Sequence, residues 1–201
     1  KHVTGVQTCA LPILTIPKHR LFEPKVKSNE GQIYEASKLI ANAKKPIFYI
    51  GGGCINSGLK ASNLVREFVK ETGAPATMTL MGLGVLPSSN KYSLGMLGMH
   101  GMYEANLAMH DCDVMINIGA RFDDRVTGRL DAFSPSSKKI HIDIDASSIN
   151  KNIKVDIQII GDVESIMNKL QDVWKKNKFS TNKDALEVWW KKIEEWKKIK
   201  D

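Results

Sequence analysis

Apolar residues fall into two alternating patterns along the chain, short continuous runs and sets spaced by three or four residues. The runs are typical of buried strands, and the wider spacing is typical of amphipathic helices. Strands are predicted over 46–50, 76–80, 113–118, 139–145 and 155–160, and helices over 31–43, 58–72, 102–109 and 163–174. This alternation favours an α/β fold, a doubly wound, mostly parallel sheet in a three-layer α/β/α arrangement.

Polar residues and glycines mark the expected ends of the helices. Ser57 is placed to cap the helix after the first strand, and Gly73 is placed to end it. Asp162 precedes the helix over 163–174, where an aspartate can cap the first turn. A ligand contact is the other interpretation of Asp162, and both stay open.

The two ends of the chain differ from this regular middle. Residues 1–32 contain three prolines and show no regular period, as expected for a linker. Within them, 5–13 resemble a sequencing adapter translated at the edge of an assembled contig, and an ordinary extended linker fits equally well. We predict one domain over 33–176, and a basic linker or helix over 177–201.

Lysine and arginine number 29 against 22 acidic residues, which gives a net charge of +7. Such an excess can indicate a nucleic-acid-binding module. Much of the excess lies beyond residue 175, however, where lysine is interspersed with tryptophan and glutamate at helical spacing. That pattern favours a solvated helix that packs on its Trp and Ile face over nucleic-acid binding.

The composition argues against several other classes. No apolar run approaches the ~20 residues of a membrane-spanning helix, and the first residues lack the apolar stretch of a secretory signal. Cys9, Cys54 and Cys112 are odd in number and show no CxxC spacing, so neither a disulfide framework nor a zinc site is indicated. We expect a cytoplasmic protein without a membrane partner.

Glycines cluster where the predicted strands end, at 51–53, 82, 84, 98, 101, 119 and 161. The run at 51–53 is a weak signal by itself, because it lacks the GxGxxG spacing and any glycine cluster can form a turn. Open α/β sheets bind ligands at the carboxyl ends of their strands. The repetition therefore predicts two loops, around 94–102 and 119–125, that flank an elongated, phosphate-bearing cofactor.

Charged residues in and after these loops are candidate ligand contacts. Arg121–Arg125 contains two arginines and two aspartates, which fit either a surface ion-pair network or, as we favour, bidentate binding of a phosphate or carboxylate. His100 lies between two glycines, and Asp143 ends an alternating strand where it can accept hydrogen bonds from a ribose or adenine. No nucleophile is paired with a base and no metal-ligand spacing occurs, so the sequence predicts a binding site without an evident catalyst.

These residues resemble one enzyme family. GMLGMHG and GARFDDR together are highly specific to the central domain of acetolactate synthase (acetohydroxyacid synthase) catalytic subunits, which are thiamine-diphosphate enzymes. The likeness runs in order from Ile33 to Trp174. It is carried by Ala43–Pro46 into Gly51–Gly53, Met78–Gly82, Leu94–Gly101, Gly119–Arg125 and His141–Asp145.

The resemblance implies an enzyme of branched-chain amino-acid biosynthesis. Such enzymes condense two pyruvates, or pyruvate and 2-oxobutyrate, with loss of carbon dioxide, and are expected to be homo-oligomers that can carry a regulatory small subunit. Their thiamine diphosphate and Mg²⁺ lie in domains for which this sequence has no motif, so we expect an inactive fragment. The alternative is a flavin-free central domain of another thiamine-diphosphate-dependent 2-oxo acid decarboxylase.

In this family the central domain holds FAD in an extended pose, without a net redox role. The resemblance also implies that Met99, Asp124 and Arg125 lie beside the substrate channel, with the arginine available to a 2-oxo acid carboxylate. No catalytic residue and no metal ligand is implied within this chain. FAD contacts are implied for Gly51, Gly52, Gly53, Asn56, Thr79, Leu80, Met81, Leu97, Gly98, Met99, His100, Gly119, Arg121, Asp123, Arg125, Val126, Asp143, Ile144, Gly161 and Asp162.

Overall fold

The computed structural model describes residues 30–199. The adapter-like run over 5–13, Cys9 and nearly all of the predicted amino-terminal linker lie outside the described residues. Within 30–199, none of the helices combines the length and apolar character needed to cross a membrane.

Over residues 30–199, the centre of the fold is a six-stranded, wholly parallel sheet. Its strands are β1 (Pro46–Ile50), β2 (Ala76–Met78), β3 (Ser93–Met96), β4 (Val114–Ile118), β5 (Lys138–Asp143) and β6 (Ile157–Ile160). They lie in the order β3-β2-β1-β4-β5-β6, so the chain winds outward from β1 to β3, returns to the centre at β4 and winds outward again. The winding reverses between β1 and β4, which is where open α/β sheets form a ligand crevice.

Helices cover both faces of the sheet and confirm the predicted three-layer α/β/α class. In the described part of the chain they are α1 (Glu30–Ala41), α2 (Gly52–Asn56), α3 (Leu59–Thr72), α4 (Tyr103–Asp111), α5 (Asp124–Thr127), α6 (Val163–Lys176) and α7 (Lys183–Lys197). Helices α1 and α3 pack on α6, and α4 packs on α7.

The core lies on both sides of the central strands, because β1 and β4 are buried along their whole length. Phe48 packs edge-on against Phe68 of α3 with 5.8 Å between ring centroids, and Phe68 packs likewise against Trp174 of α6 at 5.2 Å. Tyr49 packs at 5.5 Å against Phe122, in the loop after β4. Since successive strand residues point to opposite faces, these contacts belong to the two separate layers.

The prediction that Ser57 caps the next helix is wrong. The glycine run continues as the short helix α2, which places Ser57 at its carboxyl end and leaves Gly58 as the N-cap of α3. The Ser57 hydroxyl instead donates to the carboxylate of Asp162. Gly73 does end α3, in the left-handed conformation with φ 71°.

Three strand predictions also need correction. Strand β2 ends at Met78, because the Thr79 hydroxyl accepts the N–H of Gly82 at 3.1 Å and starts a 3₁₀ turn. Residues 93–96 form the edge strand β3, although 94–96 were predicted to belong to a loop. Strand β5 was predicted to alternate, but it is buried at every position after its first because both of its faces are covered.

The carboxyl-terminal helix α7 packs on the core through its predicted Trp and Ile face. Trp189 is buried and donates its Nε1–H to the carbonyl oxygen of Pro46 at 3.1 Å, where β1 begins. Trp190 donates to the carbonyl oxygen of Gly73 at 2.9 Å, and Ile193 is fully buried. The division into a domain over 33–176 and a separate tail stays a prediction.

Candidate functional site

The carboxyl ends of all six strands meet at one edge of the sheet, which we call the carboxyl edge. Parallel strands bring their ends together whatever their separation in sequence, so this edge gathers every residue implied as an FAD contact. In sheet order these are Leu97–His100 after β3, Thr79–Met81 after β2, Gly51–Gly53 and Asn56 after β1, then Gly119, Arg121, Asp123, Arg125 and Val126 after β4, Asp143 and Ile144 at the end of β5, and Gly161 and Asp162 after β6.

Backbone contact between the loops after β1 and β4 closes the middle of the carboxyl edge. The N–H of Gly51 donates to Ile118 O at 2.9 Å, and that of Gly53 donates to Gly119 O at 3.0 Å. A β-carbon on Gly51 would lie 2.1 Å from Gly119 O, and one on Gly53 would lie 2.7 Å from Gly119 Cα. Gly119 also has φ 65°, in the left-handed region. Glycine is therefore required at all three positions for the two loops to touch.

Large apolar side chains are exposed beyond β2 and β3. The 3₁₀ turn that Thr79 starts with Gly82 leaves Leu80 69% and Met81 75% exposed. Met99, after β3, is 65% exposed. Apolar side chains exposed together on a soluble protein are typical of a binding surface. Thioether and leucine side chains suit contact with a flat apolar group.

The loop after β3 is held by Asn106 of α4, which the sequence interpretation missed. Its Oδ1 accepts the Gly98 N–H at 2.8 Å, and its Nδ2 donates to Gly98 O at 2.9 Å. The N–H of Met99 donates to Arg125 O at 2.9 Å, and a β-carbon on Gly98 would lie 2.7 Å from that oxygen. The loop that carries Met99 and the exposed His100 is thus bonded directly to the arginine loop after β4.

Asn117 anchors the arginine loop from inside the sheet, and sequence reasoning did not select it. Its side chain is fully buried in β4, where Nδ2 donates to Ala120 O at 2.7 Å and Oδ1 accepts the Ala120 N–H at 3.0 Å. Both polar groups of Ala120 are therefore satisfied by one side chain. An asparagine inside the apolar run over 114–118 was the available signal, because a buried amide needs partners.

Phe122 orients the same loop. It has φ 53°, and its ring is buried between Tyr49 and His141 with centroid distances of 5.5 and 5.2 Å. With Phe122 turned inward, Arg121 and Asp123 on either side are exposed. Burial raises the pKa of Tyr49, and the negative charge of Asp123 raises it further. The phenol therefore stays protonated at neutral pH.

Two arginines present their guanidinium groups at the carboxyl edge. Arg121 pairs with Asp123 at 3.0 Å and Arg125 with Asp124 at 3.9 Å, while the arginine side chains stay 70% and 75% exposed. The ion pairs of the first interpretation are therefore present, and anion binding by the two arginines stays a prediction. Exposed pairs of this kind contribute little to stability, and both guanidiniums keep the donors needed for bidentate binding of an anion.

Carboxylates lie at the ends of β5 and β6. Asp143 exposes a tenth of its side chain, and its Oδ1 accepts the N–H of Asp145 at 2.9 Å. Asp162 accepts the N–H of Ser165 at 3.2 Å, which confirms the cap interpretation, and its other oxygen accepts the Ser57 hydroxyl. That contact ties α2 to the far side of the sheet. A ligand contact of Asp162 stays a prediction.

The chemistry of the carboxyl edge follows a gradient across the sheet, although Asp123 and Asp124 pair with the arginines after β4 and Ile144 at the end of β5 is 49% exposed. Exposed apolar side chains lie beyond β3 and β2, glycine backbone lies beyond β1, guanidiniums lie beyond β4, and carboxylates lie at β5 and β6. Strands about 4.8 Å apart spread this gradient over roughly 25 Å. The arrangement suits an elongated ligand with an apolar ring at one end, an anion in the middle and hydroxyl or amine donors at the other end.

The three predicted channel residues line one cavity of 440 Å³ between the loop after β3, α4 and the segment over 124–134. Met99, Asp124 and Arg125 meet there, and His110 and Arg129 also line the wall. A cavity of this size with guanidinium groups in its lining suits a small carboxylate.

The two cysteines among residues 30–199 are buried thiols with raised pKa values. Cys54 and Cys112 are buried and unpaired, and burial raises the pKa of Cys54 to about 12 and that of Cys112 to about 11. Both therefore stay protonated at neutral pH. Over residues 30–199, no group of three or more His, Cys, Asp or Glu side chains is placed to hold a metal ion.

The chain is similar to known proteins over most of its length. A family model described as "Thiamine pyrophosphate enzyme, central domain" matches residues 33–170. The acetolactate synthase large subunit of Buchnera aphidicola subsp. Schizaphis graminum is 44% identical over 181 residues, which cover 90% of this chain and 31% of that protein. The Haemophilus influenzae large subunit is 43% identical over 178 residues, 89% of this chain and 30% of the relative.

A third relative is the acetolactate synthase isozyme 3 large subunit of Escherichia coli K12. It is 39% identical over 178 residues, 89% of this chain and 31% of the relative. The chain thus spans about a third of the length of the curated relatives it matches.

Proposed function

The chain belongs to the thiamine pyrophosphate enzyme family, as the central domain of an acetolactate synthase large subunit, and on that premise we propose that its carboxyl edge binds FAD. The observation that carries the proposal is the order of chemical groups along this edge. Along its length FAD carries an isoalloxazine ring, a ribityl chain, a diphosphate and an adenosine, in that order. The edge presents apolar side chains, glycine backbone, guanidiniums and carboxylates in the same sequence.

Particular residues fit each part of the cofactor. Leu80, Met81 and Met99 offer exposed apolar surface to the ring, the Arg121 guanidinium suits the diphosphate, and the Asp143 carboxylate suits the hydroxyl or amine groups of the adenosine. In this proposal the bound flavin supplies a rigid ring system at the surface of the domain and no net redox change. The residues of the chain hold and orient it.

We propose further that the whole protein condenses pyruvate with a second 2-oxo acid, with loss of carbon dioxide, in branched-chain amino-acid biosynthesis. Thiamine diphosphate and Mg²⁺ supply the carbon–carbon chemistry from other parts of that protein. Here the Arg125 guanidinium, with Met99 and Asp124 in the same cavity, binds the carboxylate of the 2-oxo acid. Since the relatives are named large subunits, a regulatory small subunit and homo-oligomeric assembly belong to the same proposal.

Retention of flavin tests the FAD proposal against the flavin-free alternative. The 201-residue chain is incubated with FAD, freed of unbound ligand by gel filtration and denatured, and the released flavin is identified by chromatography. We expect FAD close to one per chain. A chain that is folded by circular dichroism yet releases no flavin contradicts the proposal and favours the flavin-free decarboxylase domain.

The substrate role of Arg125 is tested in a full-length relative, the E. coli isozyme 3 large subunit, at the position aligned with Arg125. Replacement by alanine removes a charge-assisted contact, so we expect KM for pyruvate to rise by about tenfold or more while FAD stays bound. Replacement by lysine keeps the charge, so the KM of the lysine variant should lie between those of the unaltered enzyme and the alanine variant. An unchanged KM in the alanine variant contradicts the channel role.

A further inference from the structure

His141 is a buried side chain that none of the contacts described so far explains. Its side chain has no exposed surface, and neither Nδ1 nor Nε2 has a hydrogen-bond partner among residues 30–199. Buried polar atoms are nearly always hydrogen-bonded, and an unpaired one destabilises the folded state. An imidazole in this position therefore requires a compensating role.

The residues around the imidazole limit which partner it can have. Phe122 packs against it edge-on, with 5.2 Å between centroids. Its neighbours in register are Asn117 of β4, whose amide is engaged by Ala120, and Gln158 of β6, whose Oε1 accepts from Asn150 at 3.4 Å. The Asn117 amide and the Gln158 Oε1 are thus directed to other partners.

Among residues 30–199, the carboxylate of Asp143 lies beside the ring. Nε2 lies 3.6 Å from Asp143 Oδ2, which is just beyond hydrogen-bond range. The two residues are separated by one position on β5, so their side chains lie on the same face of the sheet. Asp143 Oδ1 already accepts the N–H of Asp145 at 2.9 Å, and a tenth of the side chain reaches the carboxyl edge.

We infer that His141 is a positioning residue for Asp143, whose carboxylate it holds toward the hydroxyl or amine groups of the cofactor. The inference rests on the proposed FAD function. When a ligand engages the carboxylate, a small side-chain rotation brings Nε2–H into hydrogen-bond contact with Oδ2. Buried from water, that bond is strong and relieves the unpaired donor. His141 thus lowers the stability of the ligand-free chain and raises its affinity for FAD.

The opposite effects of His141 on stability and on FAD affinity can be tested directly in the 201-residue chain. His141→Leu removes the donor and the unpaired polar atoms together. We expect FAD affinity to fall by about 3- to 10-fold while the melting temperature of the ligand-free chain stays equal or rises. His141→Gln carries an amide that reaches the position of Nε2, so its FAD affinity should stay close to that of the unaltered chain.

A double substitution identifies the partner. Asp143→Asn weakens FAD binding by itself, and adding His141→Leu to it should cause no further loss, because residues that act through one contact are not additive. Independent, additive losses overturn the inference. An FAD affinity that falls equally in the Leu and Gln variants, together with a lower melting temperature, also overturns it, since that is the behaviour of a merely structural residue.

A measurement on the unaltered chain does not depend on any variant folding. In a chain labelled with ¹⁵N-histidine, FAD should shift the His141 ring nitrogens toward those of a hydrogen-bonded Nε2–H imidazole. Saturation with FAD without any change at His141 overturns the positioning role and leaves the FAD site standing. Absence of FAD binding altogether overturns both the proposed function and this inference.

Discussion

Gly53 donates its backbone N–H to the carbonyl oxygen of Gly119 at 3.0 Å, and neither glycine has room for a β-carbon. This contact joins the loops after β1 and β4, the two strands between which the winding of the sheet reverses. The floor of the crevice at the carboxyl edge is therefore made of backbone and is free of side chains at these positions.

Alanine at Gly119 tests this close approach. The substitution combines a left-handed φ of 65° with a β-carbon 2.7 Å from Gly53 Cα, so we expect the free energy of unfolding to fall by about 2–4 kcal/mol. Gly73→Ala is the matched control, because its φ is 71° and its β-carbon would meet only Leu186 Cδ1 at 3.8 Å. A loss of about 1 kcal/mol is expected there. Equal losses in urea denaturation would count against the backbone contact.

The buried amide of Asn117 is expected to contribute strongly to the stability of the fold. Asn117→Ala leaves the N–H and the carbonyl of Ala120 unpaired, and we expect a loss of about 2–4 kcal/mol in unfolding free energy. Ser37→Ala is the control, since its buried hydroxyl donates to Ile33 O, a carbonyl within α1. Less than about 1 kcal/mol should be lost there. Similar values for both variants would show that Asn117 does not anchor the loop.

The packing of α7 is tested by two adjacent residues. Trp189→Ala empties a buried site and removes the hydrogen bond to Pro46, so the expected loss is about 3–5 kcal/mol. Val188 is 68% exposed, and its replacement by alanine should change stability by less than about 0.5 kcal/mol. Thermal unfolding followed by circular dichroism measures both. A Trp189 variant as stable as the Val188 variant would mean that α7 does not pack on the core.

Asp111 is expected to give the stability of the fold a pH dependence. Burial acts to raise its pKa, but Lys192 at 2.7 Å and Lys45 at 3.2 Å outweigh burial and lower the pKa below its ordinary value. A carboxyl whose folded pKa is lowered stabilises the fold above its unfolded pKa of about 3.9, and this contribution is lost as pH falls through the folded pKa. Because these side chains are a third or more exposed, solvent screening limits the gain to below about 1 kcal/mol.

Asp111→Asn should therefore lower the melting temperature at pH 7, and the difference from the unaltered chain should shrink as pH falls below the unfolded pKa of about 3.9. Added salt should shrink the difference at pH 7. A difference that is the same at pH 7 and at pH 3 would exclude the ion pairs as its cause.

The fold was predictable where burial determines the pattern. The apolar runs that form β1 and β4 differ from the observed strands by at most one residue, because a parallel strand covered on both faces must be apolar throughout. The edge strand Ser93–Met96 was missed, since it is four residues long, contains Gly95 and lies within a glycine-rich run. Its strand character comes from pairing with β2, which periodicity over so short a segment does not report.

The residues of the candidate site likewise fall into those that were predictable from the sequence and those that were not. Glycines and charges at strand ends were predictable, because a parallel sheet gathers those ends at one edge. Asn106 and His141 were not predicted, since their roles depend on where a side chain meets Gly98 or Asp143 in three dimensions. Ser57 was assigned to the wrong role because a local cap signal competed with a partner, Asp162, more than a hundred residues away.

The FAD proposal is tested most directly by titrating the 201-residue chain with FAD and following flavin fluorescence, for the unaltered chain and two arginine variants. We expect saturable one-to-one binding, weakened about tenfold by Arg121→Ala. Arg129→Ala should bind like the unaltered chain, because that arginine is similarly exposed, at 79% against 70%, and pairs with Asp131 at 2.7 Å but lies outside the proposed FAD contacts. A folded chain that shows no saturable binding, or equal weakening by both variants, would contradict the FAD site.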